Sequence, residues 1–169
     1  NKLPGTDIEV SKICLGTMTW GRQNSESEAF EQMDYSLDKG VNFFDTAELY
    51  PVPATPDRYA DTERIIGNWL ESRKTRDKIV LASKIAGPGD YTAHIRKTGF
   101  KGNSIEEAIN GSLERLKTDY IDLYQLHWPE RATNYFGKRG FEYIEDGWND
   151  NFKEILETLK KIVDSGKVR

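Results

Sequence analysis

The sequence has little cysteine, no cluster of basic charge and no long apolar run. These three absences bear on disulfides, on charged partners and on membrane spans. Cys14 is the only cysteine, so no disulfide can form within the chain, which is typical of a reducing cytosol. The net charge is -4 and the basic residues are scattered, which argues against a nucleic-acid or membrane-surface partner. No apolar stretch approaches the roughly 18 residues that cross a bilayer, and no signal peptide is visible from Asn1 onward. The composition therefore predicts a cytoplasmic protein.

Three common catalytic devices are also missing. His94 and His127 are the only histidines, and with Cys14 they form no cluster spaced for metal binding, so no metal site is predicted. No GxSxG motif is present, which argues against a hydrolase with a nucleophile elbow. No GxGxxG motif follows the first apolar segment, which counts against an open sheet that binds a dinucleotide.

What is present is a regular alternation of short apolar segments and amphipathic helices in 169 residues, enough for one domain. The apolar segments lack strict alternation, as expected for parallel strands buried on both faces. Four βα units fit either an open doubly wound sheet or half of a (βα)8 TIM barrel. The predicted strands are 12–19, 41–45, 78–83 and 119–126, and the predicted helices are 25–39, 61–73, one beginning at Ser104, and 151–163.

Local signals add three expectations. Ser25 with Glu28, and Ser104 with Glu107, have the spacing of a capping box at the start of a helix. Cys14 lies in an apolar run and is predicted to be a buried, inert thiol.

Four side chains follow the predicted strands in a way that suggests chemistry. The apolar run Val41-Asn42-Phe43-Phe44 ends on Asp45, Tyr50 comes five residues later, Lys84 follows the third strand, and His127 follows the fourth. Because the carboxyl ends of parallel strands open on one face, these four side chains are expected to converge. Each alone has a structural explanation: a turn-capping acid, a packed ring, a solvated cation and a histidine at the core edge.

Together the four suit proton transfer to a carbonyl oxygen while a hydride arrives at carbon. A tyrosine has a pKa of about 10 in isolation. A nearby lysine, here Lys84, is expected to lower the pKa of Tyr50, and a carboxylate such as Asp45 would hold that lysine in place. His127 could relay a proton or polarise the carbonyl.

Two long loops, 86–103 and 128–150, also follow strands and are expected to be functional or mobile. The second is rich in aromatic residues, which either wall a pocket or pack the loop down: Trp128, Tyr135, Phe136, Phe141, Tyr143 and Trp148.

Several stretches resemble the aldo-keto reductases along essentially the whole chain: ICLGTMTWG, VNFFDTAELY, IVLASK, SIEEAINGSLERLKTDYIDLYQLHWP and IVDSGKVR. Others are similar to the Tas-like branch of that family: NSESEAF, LYPVP and HWPERATNYFGKRGF. The resemblance implies a (βα)8 barrel that binds NADPH without a Rossmann domain. It implies reduction of small aldehydes or ketones to alcohols, with Asp45, Tyr50, Lys84 and His127 as the catalytic tetrad.

The same resemblance assigns roles. Tyr50 would be the general acid, Lys84 paired with Asp45 would lower its pKa, and His127 would orient the substrate carbonyl. One departure is Pro51, where many members have glycine after the catalytic tyrosine. Further positions are implied near the nicotinamide (Thr17, Met18, Gln23 and Asp45) and along the substrate pocket (Trp20 and Trp128).

The family barrel needs roughly twice this length, so residues 1–169 are expected to form one domain, the N-terminal half of a barrel with four βα units. Three explanations stay open: the residues are part of a longer chain, which the sequence favours; the protein is a truncated product; or two copies self-associate and close one barrel. The alternative function is a half barrel that acts as a non-catalytic binding or regulatory module.

Overall fold

Four parallel strands alternate with four α-helices along the described part of the chain. The structure is a computed structural model that describes residues 1–132, 134, 139–145 and 150–169. The strands are β1 (Cys14–Gly16), β2 (Phe43–Asp45), β3 (Val80–Ile85) and β4 (Leu123–Leu126). The helices are α1 (Glu26–Asp38), α2 (Asp61–Arg73), α3 (Ser104–Leu116) and α4 (Phe152–Asp164). Short 3-10 helices lie at Pro56–Arg58, Arg76–Lys78 and Asp90–Thr92.

The strands lie side by side in chain order, β1-β2-β3-β4, and every pair is parallel. The register aligns Gly16, Asp45, Ala82 and Leu123 across the sheet. An open doubly wound sheet reverses its strand order at a switch point, whereas a barrel adds each strand to the same side. The order found within the described residues is that of a barrel segment, so the doubly wound alternative is not the fold.

The helix boundaries test the local predictions. The capping box at Ser25 is confirmed: its hydroxyl accepts from the Glu28 amide at 3.3 Å, and its own amide donates to the Glu28 carboxylate at 2.7 Å. The prediction of a capping box at Ser104 is wrong, because Asn103 occupies the cap position and Ser104 is the first helical residue. Its hydroxyl is hydrogen-bonded instead to that of Thr98, at 2.7 Å.

The main core lies between the sheet and the helices. Phe44, Leu81 and Ile85 from the strands are fully buried there. They pack with the helix side chains of Met33, Ile66, Trp69, Ile105 and Ile109. Burying one such side chain contributes roughly 1.5–3 kcal/mol. Helices α2 and α3 approach closely at Gly67, where a Cβ would lie 2.1 Å from the Arg115 carbonyl oxygen, so this contact requires glycine.

The opposite face of the sheet carries Cys14, Phe43, Asp45, Lys84 and Gln125, which alternate with the core residues along their strands. The prediction that Cys14 is buried is wrong: its thiol is exposed, since it points away from the helices. An apolar run identifies a strand, but it does not reveal which of the strand's two faces is covered.

The loops after the strands form a second, smaller core. Ala47, Leu49, Ala86 and Trp128 are buried together, with Tyr50, Val52, Ala54, Tyr91 and Ile95 packed against them. Of the other aromatic residues in the second long loop, Phe141 and Tyr143 are exposed, so they neither wall a pocket nor pack the loop down. Tyr135, Phe136 and Trp148 lie outside the described residues. None of the described helices combines the length and the apolar character that crossing a membrane requires.

Candidate active site

Asp45 and Lys84 meet at the carboxyl edge of the sheet. Asp45 is the last residue of β2, and Lys84 lies near the end of the neighbouring strand β3. The Lys84 ammonium donates to the Asp45 Oδ2 at 2.6 Å and to the Thr46 carbonyl oxygen at 2.7 Å. The lysine side chain is only 12% exposed. Two acceptors therefore fix the position of a largely buried cation.

Gln125 is a member of this cluster that the sequence reasoning missed. Its amide nitrogen donates to the second carboxylate oxygen of Asp45 at 3.3 Å. The register pairs Gln125 with Lys84 across β3 and β4. A usable signal was present, because Gln125 stands two residues before His127 and so shares its side of the strand.

Tyr50 reaches the cluster through a loop that is held at every second amide. The Glu48 amide donates to the Lys84 carbonyl at 3.1 Å, and the Tyr50 amide donates to the Ala47 carbonyl at 3.1 Å. Just beyond, the Val52 amide donates to the Met18 carbonyl at 3.0 Å. These bonds fold the chain back on the strand ends and direct the Tyr50 ring toward Lys84.

The four tetrad side chains lie together, as the sequence predicted. The Lys84 ammonium is 5.1 Å from the centroid of the Tyr50 ring. The Tyr50 and His127 rings meet edge to face, with centroids 5.7 Å apart. The structure thus places a phenol, a cation, a carboxylate and an imidazole in one cluster at the carboxyl ends of β2, β3 and β4.

The electrostatics of Tyr50 differ from the expectation. Burial of the phenol, followed by the charge of Asp45, raises the pKa of Tyr50 to about 12. The expected net lowering is not found, because burial and the charge of Asp45 together outweigh the effect of the Lys84 cation, which is itself paired with Asp45. Tyr50 therefore stays protonated near neutral pH.

His127 is held neutral. Burial, followed by the neighbouring Lys84 cation, lowers the pKa of His127 to about 4, against a smaller opposing effect of Asp45. Its Nδ1 is buried and has no hydrogen-bond partner among the described residues. We assign the proton to Nε2, since an unpaired lone pair is less costly to bury than an unpaired N–H. His127 is then a neutral hydrogen-bond donor through Nε2.

This assignment predicts a pH dependence of stability. The pKa of His127 is about 4 in the folded protein and about 6.5 when unfolded. Between these values the unfolded chain binds more protons, so acidification destabilises the fold. From about pH 7 to about pH 4, the wild-type protein is expected to lose about 2 kcal/mol more unfolding free energy than His127→Gln, after allowing for partial exposure of the ring.

Urea unfolding at a series of pH values measures this difference directly. All other titrating groups are common to both proteins, so they cancel in the comparison. Parallel stability curves for the two proteins over this pH range would contradict a neutral His127.

The positions implied near the nicotinamide differ in how close they lie to the cluster. Thr17 is fully buried, and its hydroxyl donates to the Asp45 carbonyl at 2.9 Å. Met18 is 47% exposed next to it. Gln23 is exposed in a groove at the beginnings of α1 and α2, together with Arg22 and Arg64. Thr17 and Met18 therefore adjoin the cluster directly, whereas Gln23 lies on the following turn.

The two tryptophans have different surroundings. Trp20, expected in the substrate pocket, is a core residue: it is 1% exposed, and its indole N–H donates to Gln32 at 2.9 Å. That expectation is corrected, because the ring offers no surface to a ligand. Trp128 packs beside His127, with ring centroids 5.1 Å apart, and its N–H donates to the Pro88 carbonyl at 2.9 Å.

Within the described ranges, no group of three or more His, Cys, Asp or Glu side chains could hold a metal ion. The phenol and the imidazole of the cluster can donate hydrogen bonds, and its ammonium can stabilise a nearby negative charge.

Comparison with known proteins gives consistent matches. The model of the Aldo/keto reductase family matches residues 12–169. Protein tas of Escherichia coli strain K12 is 42% identical over 171 residues, which cover 100% of this chain and 49% of that protein. This chain spans about half the length of the curated relatives it matches.

Two solved structures show the same architecture. The aldo-keto reductase AKR11C1 from Bacillus halodurans, in its holo form, is 30% identical with a TM-score of 0.70, covering 100% of this chain and 47% of its own. An aldo/keto reductase from Klebsiella pneumoniae, in complex with NADP and acetate, is 28% identical with a TM-score of 0.62, covering 95% and 44%. The four parallel βα units are therefore part of a (βα)8 barrel.

Proposed function

Because this chain belongs to the aldo/keto reductase family, we propose that the whole protein reduces aldehydes or ketones to alcohols by hydride transfer from NADPH. The observation that carries the proposal is the convergence of Asp45, Tyr50, Lys84 and His127 at one edge of the sheet. A cytoplasmic location is part of the proposal, since Cys14 is an exposed free thiol, which suits a reducing compartment.

The cluster fits a nicotinamide cofactor because its side chains can supply a proton but not a hydride. They offer a proton from Tyr50 and a hydrogen bond from His127, but none of these side chains carries a hydride. NADPH, when bound, supplies that hydride. Two similar proteins are a holo form and an NADP complex, which supports the same cofactor here. Met18, Gln23 and Asp45 are the positions proposed to hold its nicotinamide end, and the buried Thr17 is proposed to support them through its hydrogen bond to the Asp45 carbonyl.

The proposed work of the protein is to place and protonate the substrate carbonyl. His127 donates a hydrogen bond from Nε2 to the carbonyl oxygen and so orients it. Trp128 packs against His127 and forms part of the wall beside it. As negative charge develops on that oxygen, Tyr50 transfers its phenolic proton to it, which completes the alcohol and leaves a phenolate.

Lys84 acts on the product side of this transfer. Its ammonium lies over the Tyr50 ring and stabilises the phenolate until a proton from solvent restores the phenol. Asp45 and the Thr46 carbonyl hold the ammonium in place throughout. A raised pKa in the resting protein keeps Tyr50 protonated, and the adjacent cation reduces the cost of losing that proton when the carbonyl demands it.

The proposal is tested by NADPH consumption in the full-length protein with a panel of simple aldehydes and ketones. We expect consumption that requires the carbonyl compound and that yields an equal amount of alcohol. NADPH binding is measured separately by its fluorescence. A protein that binds NADPH but converts no member of the panel, or that does not bind NADPH at all, would contradict the proposal and favour the binding-module alternative.

A further inference from the structure

A buried ion pair beside the tetrad takes no part in the mechanism just described. Glu48 is fully buried two residues before Tyr50, and its Oε1 accepts from Arg96 Nη1 at 2.8 Å. Its Oε2 accepts from Arg96 Nη2 at 3.2 Å and from the Tyr59 hydroxyl at 3.3 Å. Both oxygens of this fully buried carboxylate are therefore occupied.

Stability alone is a poor explanation of such a pair. Removing two charges from water is costly, and apolar residues of similar volume often stabilise a fold as well or better. A bidentate guanidinium–carboxylate contact does supply fixed geometry, because two parallel hydrogen bonds determine both distance and angle. The role of Glu48 is therefore better sought in the geometry that it imposes on its neighbours than in stability.

Glu48 joins the loop that carries Tyr50 to the chain segment that carries Lys84, and it does so at two points. Its main-chain amide donates to the Lys84 carbonyl at 3.1 Å. Its carboxylate accepts from the Ala86 amide at 2.6 Å, two residues further along the same chain segment. The backbone on both sides of Ile85, the residue after Lys84, is thus bonded to Glu48, and Glu48 is two positions from Tyr50.

We infer that Glu48 is a positioning residue, which with Arg96 fixes the Tyr50 hydroxyl relative to the Lys84 ammonium. The inference rests on the proposed function, since it concerns the geometry in which Tyr50 gives up its proton. Without the Glu48 carboxylate, the Ala86 amide and the Arg96 guanidinium lose their acceptor. Loop 46–54 then loses the side-chain bond that ties it to the chain segment directly after β3.

The chain contains a matched pair for comparison. Glu63 is also fully buried, and its Oε2 accepts from Arg115 Nε at 2.7 Å. Its Oε1 accepts from the Ser83 hydroxyl at 2.6 Å. Glu63 thus holds a side chain of β3, whereas Glu48 holds the backbone directly after Lys84, on both sides of Ile85. The two pairs share burial and charge and differ in what they position.

The experiment compares Glu48→Gln with Glu63→Gln in the full-length protein. Hydrogen exchange of the amides in segment 46–54 measures positioning without any need for turnover. In Glu48→Gln we expect these amides to exchange about tenfold faster. We expect kcat to fall about 100-fold. NADPH affinity and KM should change by less than about threefold, because neither ligand contacts Glu48. Glu63→Gln should lose stability with segment 46–54 still protected.

A second variant keeps the test decisive if Glu48→Gln does not fold. Arg96→Lys retains the charge but not the bidentate geometry, and it should give a smaller change of the same kind. Arg115→Lys is its control. Unchanged exchange in segment 46–54 of the folded variants would overturn the inference, and so would an equal change in the Glu63 and Arg115 variants. If the wild-type protein reduces no carbonyl compound, the proposed function fails, while the exchange measurement still decides whether Glu48 positions Tyr50.

Discussion

Tyr50→Phe is expected to lower kcat for carbonyl reduction by about 100- to 10,000-fold, the contribution usual for a positioned general acid. The substitution removes one hydroxyl and keeps the ring. The edge-to-face contact with His127 and the position under the Lys84 ammonium should therefore survive. NADPH affinity should change little, because the lost group acts on the carbonyl oxygen. Steady-state kinetics with one aldehyde, together with an NADPH fluorescence titration, separate these two quantities.

Tyr91→Phe is the matched control for this change. Tyr91 packs against the same small core, and its hydroxyl accepts a hydrogen bond from the Ala54 amide at 2.7 Å. Loss of that hydroxyl affects the loop after the tetrad but removes no proposed proton donor. We expect a fall in kcat of less than about tenfold. If Tyr50→Phe keeps more than about a tenth of wild-type kcat, another group donates the proton and the assigned role is wrong.

The convergence of the tetrad could be predicted from the sequence because it depends mainly on strand order. Asp45, Lys84 and His127 each stand at the end of an apolar segment, and parallel strands present those ends on one edge. The position of Tyr50 depends on an irregular loop, which shows no hydrophobic periodicity from which its path could be predicted. For that residue the expectation rested on its place five residues after Asp45, in the loop that follows the strand, and the likeness to a family then supported it.

The parts that could not be predicted depend on contacts across the fold. The hydrogen bond from Gln125 to Asp45 requires the register of β3 and β4. Trp20 is buried with its indole N–H donating to Gln32, an exposed residue of α1, and this contact across the fold has no signal in the sequence. The direction of the Tyr50 pKa shift depends on burial and on Asp45 together, so the presence of Lys84 in the sequence was insufficient.

Lys84→Met is the second substitution with a large expected effect, a fall in kcat of about 100- to 1,000-fold, as when one preorganised electrostatic partner of a developing charge is lost. The variant leaves the phenol in place but removes the cation beside it. Asp45 would then keep Gln125 as a side-chain partner, and its charge would still disfavour the Tyr50 phenolate. Lys78→Met is the control, since it makes the same change at an exposed position before the opposite end of β3. It should alter kcat by less than about twofold.

The double variant shows whether Lys84 acts through Tyr50. If the cation serves only to stabilise the phenolate, it has nothing to stabilise once Tyr50 is phenylalanine. Tyr50→Phe combined with Lys84→Met should then be no slower than Tyr50→Phe alone, because residues that act as a unit are not additive. If instead the two losses multiply, Lys84 contributes by a separate route, such as holding the cofactor, and an NADPH titration of Lys84→Met would reveal weakened binding. The kinetic cycle thus separates a lysine that tunes the proton donor from one that binds the hydride donor.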